Sequence, residues 1–315
     1  MDYKSEDIER VIVTGGAGFI GSHVVDLLID KGLKVSVIDD LSSGRKENLN
    51  PGATFYQCDI RDKQIEDILE QESPQVIIHH AAQVSVRISV EDPKKDASIN
   101  IIGSLNLLEA SVKKGVKKFI FASTGGAIYG EQDYFPADES HPLKPISPYG
   151  VAKLSVEGYL HYYKEVYGLK HVLLRYANIY GPRQDPHGEA GVVAIFSQKM
   201  LADKQPIING DGKQTRDFVY VGDVAAANYL SLKDEVTGEI NIATGIETSV
   251  NKLFKEIKGV VAKDIKEVHA PPKKGEQMRS VLSWEKAAKI MGWEPKTQIE
   301  TGLRSTVEYF RSRML

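Results

Sequence analysis

The sequence predicts an α/β chain: a doubly wound parallel sheet followed by a smaller, more irregular C-terminal α/β part. Three observations carry this. Short apolar stretches alternate with amphipathic helical ones through the first half, the apolar stretches are rich in β-branched residues, and the first of them runs into a glycine-rich turn. Near-continuous apolar strands belong to sheets covered on both faces, and repeated strand–helix units make such sheets parallel.

The elements follow in order. Strands are predicted at 11–13, 35–39, 54–58, 76–80, 118–122 and 172–174. Helices are predicted at 22–30, 65–71, 101–112 and 149–167, the last with Tyr149, Val156, Tyr159, Leu160 and Tyr163 at helical spacing. After about residue 180 the rhythm breaks, with Gly, Pro and polar residues clustered at 181–191 and 209–216. Residues 1–175 therefore read as one domain, to which 220–245 returns, and 176–315 as a second.

Composition narrows the function classes. The 315 residues suffice for one large or two modest domains, at ~100–200 residues each. Hydrophobic content of 42% and charged content of 26% provide an ordinary core. A net charge of −3, from 40 basic and 43 acidic side chains, argues against a nucleic-acid or membrane partner. Cys58 is the one cysteine, which excludes an intramolecular disulfide. The first ten residues hold no apolar signal core, and no run approaches the ~18 apolar residues of a membrane span, so a cytoplasmic address is expected. The eight histidines form no ligand-spaced cluster with Cys58, so no metal is expected, and His79-His80 read as the end of a buried strand.

The turn after the first strand carries Gly15-x-x-Gly18-x-x-Gly21 and opens a helix. Glycines there allow a tight turn and close approach of a pyrophosphate, and the helix N-terminus offers unpaired N–H groups to it. Asp39, 18 residues beyond Gly21, ends the second strand and suits a ribose 2′-hydroxyl. A carboxylate would repel a 2′-phosphate, so NAD is favoured over NADP, with Arg45 nearby as the contrary signal. Asp59-Ile60 ends the third strand at the expected adenine edge. Ala81-Ala82-Gln83 follows the fourth, where small residues admit a cofactor.

Tyr149 and Lys153 stand four residues apart, on one face of the predicted helix. A phenol with pKa ~10 is a poor base at neutral pH, and a neighbouring ammonium should pull it down. A hydroxyl partner is expected from the strand end before this helix, either Ser123 or Thr124.

Gly15 to Gly21, Asp59-Ile60, the stretch 123–130 and Tyr149-x-x-x-Lys153 together resemble the extended short-chain dehydrogenase/reductase family, built on a Rossmann sheet. The segments 175–182 and 210–221 narrow the resemblance to the sugar-nucleotide 4-epimerases that act on UDP-glucose and UDP-galactose, over about residues 8–312. The resemblance implies a homodimer through helices 101–112 and 149–167, bound NAD, and a UDP-sugar substrate. It implies cofactor contacts at Gly15, Gly18, Phe19, Ile20, Gly21, Asp39, Asp40, Leu41, Ser42, Ser43, Gly44, Asp59, Ile60, Ala81, Ala82, Gln83, Asn100, Ser123, Tyr149, Lys153 and Tyr176. It implies substrate contacts at Thr124, Asn178, Val192, Arg216, Arg279 and Ser280.

The match departs in two places. An ungapped alignment sets Gly125 where the family carries its catalytic serine, leaving Thr124 or Ser123 for that role. The acids of the related 4,6-dehydratases are replaced by Gly125-Gly126, which disfavours dehydration. Ser280 aligns with a position whose bulk limits the sugar C2 substituent, so N-acetylated sugars are expected to fit. Two rival readings stand beside this. One is a UDP-glucuronate epimerase or decarboxylase, with Arg87, Arg183 or His187 on the sugar carboxylate; the other is a non-catalytic NAD-binding scaffold.

Overall fold

The computed structural model describes residues 8–187, 191–272 and 277–314. Residues 273–276 of the segment read as the C2 gate lie outside the described residues.

The first half builds the sheet from β1 (Arg10–Thr14), β2 (Lys34–Asp39), β3 (Thr54–Gln57), β4 (Val76–His79), β5 (Lys118–Thr124) and β6 (Lys170–Tyr176). Its helices are α1 (Phe19–Asp30), α2 (Gln64–Glu72), α3 (Val86–Glu91), α4 (Pro93–Ala97), α5 (Gly103–Lys113), α6 (Gly125–Ile128) and α7 (Pro148–Tyr167). Helix α5 is entered from α4 through a π-helical turn at Ser98–Ile102, which the 101–112 periodicity did not reveal. Beyond it come β7 (Asn178–Tyr180), α8 (Val192–Leu201), β8 (Ile208–Asn209), β9 (Thr215–Tyr220), α9 (Val221–Leu230), β10 (Gly238–Ile242), β11 (Glu247–Ser249), α10 (Val250–Val261), β12 (His269–Ala270), α11 (Glu285–Met291) and α12 (Ile299–Ser312).

Seven strands pair in parallel in the order β10-β6-β5-β4-β1-β2-β3. The chain winds outward in both directions from β1, so β1 and β4 flank the switch point where such sheets open a crevice. Strand alternation feeds an apolar layer on each face: Val11 and Val13 enter one, Ile12 the other. The two layers explain why these strands read as unbroken apolar runs. Strand β10 lies beside β6 in this sheet, with α9 packed on α1. The smaller part sets α8, α10 and α12 around Tyr180, Phe196, Phe218 and Phe254, next to the three-stranded sheet β11-β9-β7. Among the described residues no helix is long and apolar enough to cross a membrane.

Candidate active site

The glycine turn sits at the carboxyl end of β1. Gly15 has φ +69°, and a Cβ there would lie 2.6 Å from the Ala81 backbone nitrogen. A side chain is thus excluded both by conformation and by the loop after β4. A Cβ on Gly21 would lie 2.2 Å from the Gly15 carbonyl oxygen, so α1 packs directly on the turn. Gly18 caps α1 without a side-chain bond, which leaves the first-turn N–H groups, with Phe19 and Ile20, for a phosphate.

Asp39 is buried beside this turn. Its oxygens accept from Ala17 N (3.0 Å) and Leu41 N (2.9 Å), and Gly44 closes against it. Burial first, then Asp40, pushes its carboxyl above the usual range, against the two N–H bonds. A carboxylate has about four acceptor sites, so two N–H donors leave capacity for ribose hydroxyls. Asp40 folds onto Ser42, accepting from its N (2.9 Å) and Oγ (2.6 Å), with Ser43 next in the exposed loop. The Arg45 side chain turns outward to Glu47 at 3.6 Å rather than toward Asp39. The uncapped helix, the cradle at Gly15 and the Asp39 carboxylate fit a dinucleotide of the NAD type.

Several expected contacts are spent within the protein. The Asp59 carboxylate is held by Arg61, Nε to Oδ1 at 2.9 Å and Nη2 to Oδ2 at 2.5 Å, and Ile60 is buried against Gly103. The Gln83 amide donates to Asp96 Oδ1 (2.8 Å) and Ser85 O (2.9 Å) while Ser85 N donates to Gln83 Oε1. Asn100 accepts from Gln83 N and donates to Gln83 O and Asp96 Oδ1, each at 2.9 Å. Gln83 and Asn100 therefore shape the loop beside Ala82 more than they offer free amides. The Tyr176 hydroxyl is buried between Asn228 (2.9 Å) and His80 Nε2 (3.2 Å), so that side chain is core rather than lining.

The helix with the catalytic candidates begins at Ser147, whose side chain accepts from Gly150 N, with Pro148 in its first turn. It packs along β5 and β6, and Lys153 reaches the end of β5. Lys153 Nζ is buried, donates to Ala122 O (2.9 Å), and lies 5.9 Å from the Tyr149 ring centroid. Thr124 ends β5, and its hydroxyl has no hydrogen-bond partner among the described residues. Ser123 points to the opposite face and donates to buried Glu157 (2.6 Å), which removes it from the candidate hydroxyls. Gly125 has its own reason to lack a side chain: a Cβ there would lie 2.3 Å from Leu282 Cδ1. A serine at that position and Leu282 could not coexist without a shift.

One electrostatic expectation is corrected. Burial, and then the Asp96 carboxylate, hold the Tyr149 phenol above its ordinary pKa. Desolvation of the phenolate outweighs the Lys153 ammonium at this range. Burial also brings Lys153 down to about 8, opposed by Asp96 and Glu157.

The substrate candidates lie across the crevice. Asn178 on β7 pairs with Phe218 of β9, which puts Asn178 and Arg216 on one face of that sheet. Arg216 Nη1 donates to Thr215 O at 2.7 Å. Asp217, missed by the sequence reading, is buried and accepts from Thr244 N (2.8 Å), Gly245 N (2.9 Å) and Leu282 N (3.4 Å). It thereby ties β9 to the segment carrying Ser280, which is 4% exposed. Val192 opens α8 behind Gly191. Arg279 is drawn away to Glu247, with Nη2 to Oε1 at 2.5 Å, and lies 3.8 Å over the Phe135 ring, so it presents no free guanidinium for a diphosphate. Among the carboxylate-binding candidates, Arg183 is paired with Asp26 at 2.7 Å and Arg87 with Glu91 at 3.4 Å. His187 donates its N–H to its neighbour Asp185.

A doubly wound parallel sheet, a glycine turn after its first strand and a Tyr–Lys pair on the helix over β5 mark a dinucleotide enzyme of the short-chain class. Residues 11–243 match the NAD dependent epimerase/dehydratase family, and the chain belongs to it. It is similar to UDP-glucose 4-epimerase of Thermotoga maritima, solved with UDP-glucose, at 54% identity and TM-score 0.95, covering 97% of this chain and 100% of that one. The Thermus thermophilus UDP-glucose 4-epimerase, solved with NAD, shares 47% identity at TM-score 0.92, over 96% and 99%. UDP-N-acetylglucosamine 4-epimerase of Methanobrevibacter ruminantium shares 40% identity at TM-score 0.93, over 98% and 99%.

Proposed function

We propose that this chain interconverts UDP-galactose and UDP-glucose by NAD-dependent inversion at C4 of the hexose. The observation that carries this is the placement of Tyr149 and Lys153 on one face of α7, over the carboxyl end of β5 that carries Thr124, in the same parallel sheet whose β1 ends in the glycine turn. The likeness to epimerases solved with NAD and with UDP-glucose supports it.

The residues divide the work. The N-terminal turn of α1, Asp39 and the Ala81–Ala82 backbone hold the cofactor, on the unit formed by 1–175 and 220–245. Asn178 and Arg216 hold the diphosphate from 176–315, where an Arg fork suits phosphate oxygens. Tyr149, as the phenolate, takes the proton of the sugar 4-hydroxyl at Oη, and Thr124 Oγ1 holds that oxygen. NAD, when bound, accepts and returns the hydride at C4. The 4-keto sugar turns over in the pocket to present its opposite face, and Tyr149 then gives its proton back to the C4 oxygen, which inverts C4 with no net redox change. Burial raises Tyr149, yet the same low-dielectric setting strengthens the attraction of Lys153 for the phenolate that acts as the base.

The small, buried Ser280 favours a second substrate class, N-acetylated UDP-hexoses. A homodimer fits α7, which buries Ala152, Val156 and Leu160 but exposes Val151, Tyr159, Tyr162 and Val166. A cytoplasmic address fits an enzyme of nucleotide-sugar metabolism.

The test is conversion of UDP-galactose to UDP-glucose, without and with added NAD, alongside UDP-N-acetylglucosamine and UDP-glucuronate. Turnover is expected, with Tyr149→Phe lowering kcat by roughly 100-fold or more while NAD still binds. Absence of conversion with NAD supplied sinks the reading, and identical behaviour of Tyr149→Phe sinks the role of Tyr149.

A further inference from the structure

Asp96 is an acid that the mechanism above does not use. It lies in α4, is 1% exposed, and has no cation bonded to it among the described residues. One oxygen bridges the Gln83 and Asn100 amides, at 2.8 and 2.9 Å. The other, Oδ2, is buried without a hydrogen-bond partner. A buried carboxylate half satisfied in this way is costly, and it needs a compensating charge nearby. Helix α4 packs against α7, the helix of Tyr149 and Lys153. The π-helical turn that follows Asp96 carries Asn100, and such turns recur at functional sites.

We propose that Asp96 is the buried counter-charge of Lys153 and, through Gln83 and Asn100, the anchor of the loop that walls the cofactor crevice. This makes Asp96 a positioning residue, and it rests on the reading of Tyr149–Lys153 as the reacting pair. The coupling is reciprocal. Asp96 raises Lys153, and Lys153 lowers Asp96, in each case against burial. The charged and titratable groups around the ammonium are Tyr149 and Glu157 on α7, Asp96 on α4, and His79 and His80 at the end of β4. His80 is pushed down to about 3 by burial and then by Lys153, and His79 is lowered for the same reasons, so both are neutral; Glu157 is already paired with Arg175 at 2.7 Å, which leaves Asp96, among the described residues, as the carboxylate without a cation of its own. Asp96 also opposes the Tyr149 phenolate. It therefore acts on both members of the pair, favouring the Lys153 ammonium and opposing the Tyr149 phenolate.

The test is Asp96→Asn in the full chain. The amide keeps the shape and can still accept from Gln83 and Asn100, but it carries no charge. The readout is the pH titration of the Lys153 side chain by NMR with labelled lysine, its signal identified by its loss in Lys153→Arg. The parent midpoint is expected near 8. The Asp96→Asn midpoint is expected lower by roughly half a unit to one unit. The alkaline limb of the turnover profile should move with it. An unmoved midpoint in a folded variant overturns the proposal, whatever happens to activity. If Asp96→Asn does not fold, the same titration is run on Asp96→Ser, and an unmoved midpoint there overturns the proposal equally. The NMR arm needs no turnover, so it decides about Asp96 even if the epimerase reading fails.

Discussion

Glu157 and Arg175 form a buried, two-pronged ion pair, with Oε2 to Nη2 at 2.7 Å and Oε1 to Nε at 3.1 Å, one helical turn beyond Lys153. Ser123 donates to the same carboxylate, and Arg175 Nη1 donates to Tyr129 Oη (3.1 Å). With Lys153 on Ala122 O, the end of β5 is fastened to α7 at two successive residues. Removing one partner strands a buried charge. Glu157→Ala should lower unfolding free energy by ~3–5 kcal/mol, and the double variant Glu157→Leu/Arg175→Met by less, in denaturant titrations. Equal losses for the two would show that the cost is packing rather than the stranded guanidinium.

The turn at Gly21 tolerates no side chain, because the obstacle is backbone. Gly21→Ala must displace the Gly15 carbonyl from 2.2 Å, which moves the turn that faces the cofactor phosphates. Calorimetry should show NAD affinity weakened by at least tenfold and stability lowered by ~1–3 kcal/mol. Unchanged NAD affinity would place the phosphates elsewhere.

Ser280 sits two residues before Leu282, whose side chain fills the space left by Gly125 and whose N–H is held by Asp217. Its place is thus set by buried contacts. Ser280→Tyr should depress turnover of UDP-N-acetylglucosamine by about tenfold or more while sparing UDP-glucose, since a lost fit in a pocket is worth ~1–3 kcal/mol. Parallel loss on both sugars would count against the gate.

Acid should weaken the fold through buried imidazoles. Burial brings His171 from 6.5 down to about 4, so the unfolded chain takes a proton first. Stability from this group is complete above pH 6.5 and falls as pH drops toward 4, by on the order of 3 kcal/mol. His171→Leu should therefore lose less stability than the parent between those two pH values in denaturant titrations. Parallel pH profiles for the two proteins would remove His171 as the cause.

The sequence by itself determined the doubly wound sheet, the glycine turn after β1 and the pairing of Tyr149 with Lys153 on one helix face. Each is a local signal: a period of two or 3.6 residues, a fixed glycine spacing, an i to i+4 step. Tertiary structure decided what those signals could not. It turned Ser123 inward to Glu157 and left Thr124 at the strand end, because neighbours on a strand face opposite ways. It drew Gln83 and Asn100 onto Asp96, and Arg279 onto Glu247. It reversed the expected direction at Tyr149, since burial depends on how α7 seats against β5 and α4 rather than on spacing along the chain. Lys153 and Ala122 are 31 residues apart, and Asp217 and Leu282 are 65 apart. Contacts over such separations form only when the sheet and its helices are packed, which is why charge balance and hydroxyl choice at the site belong to the fold.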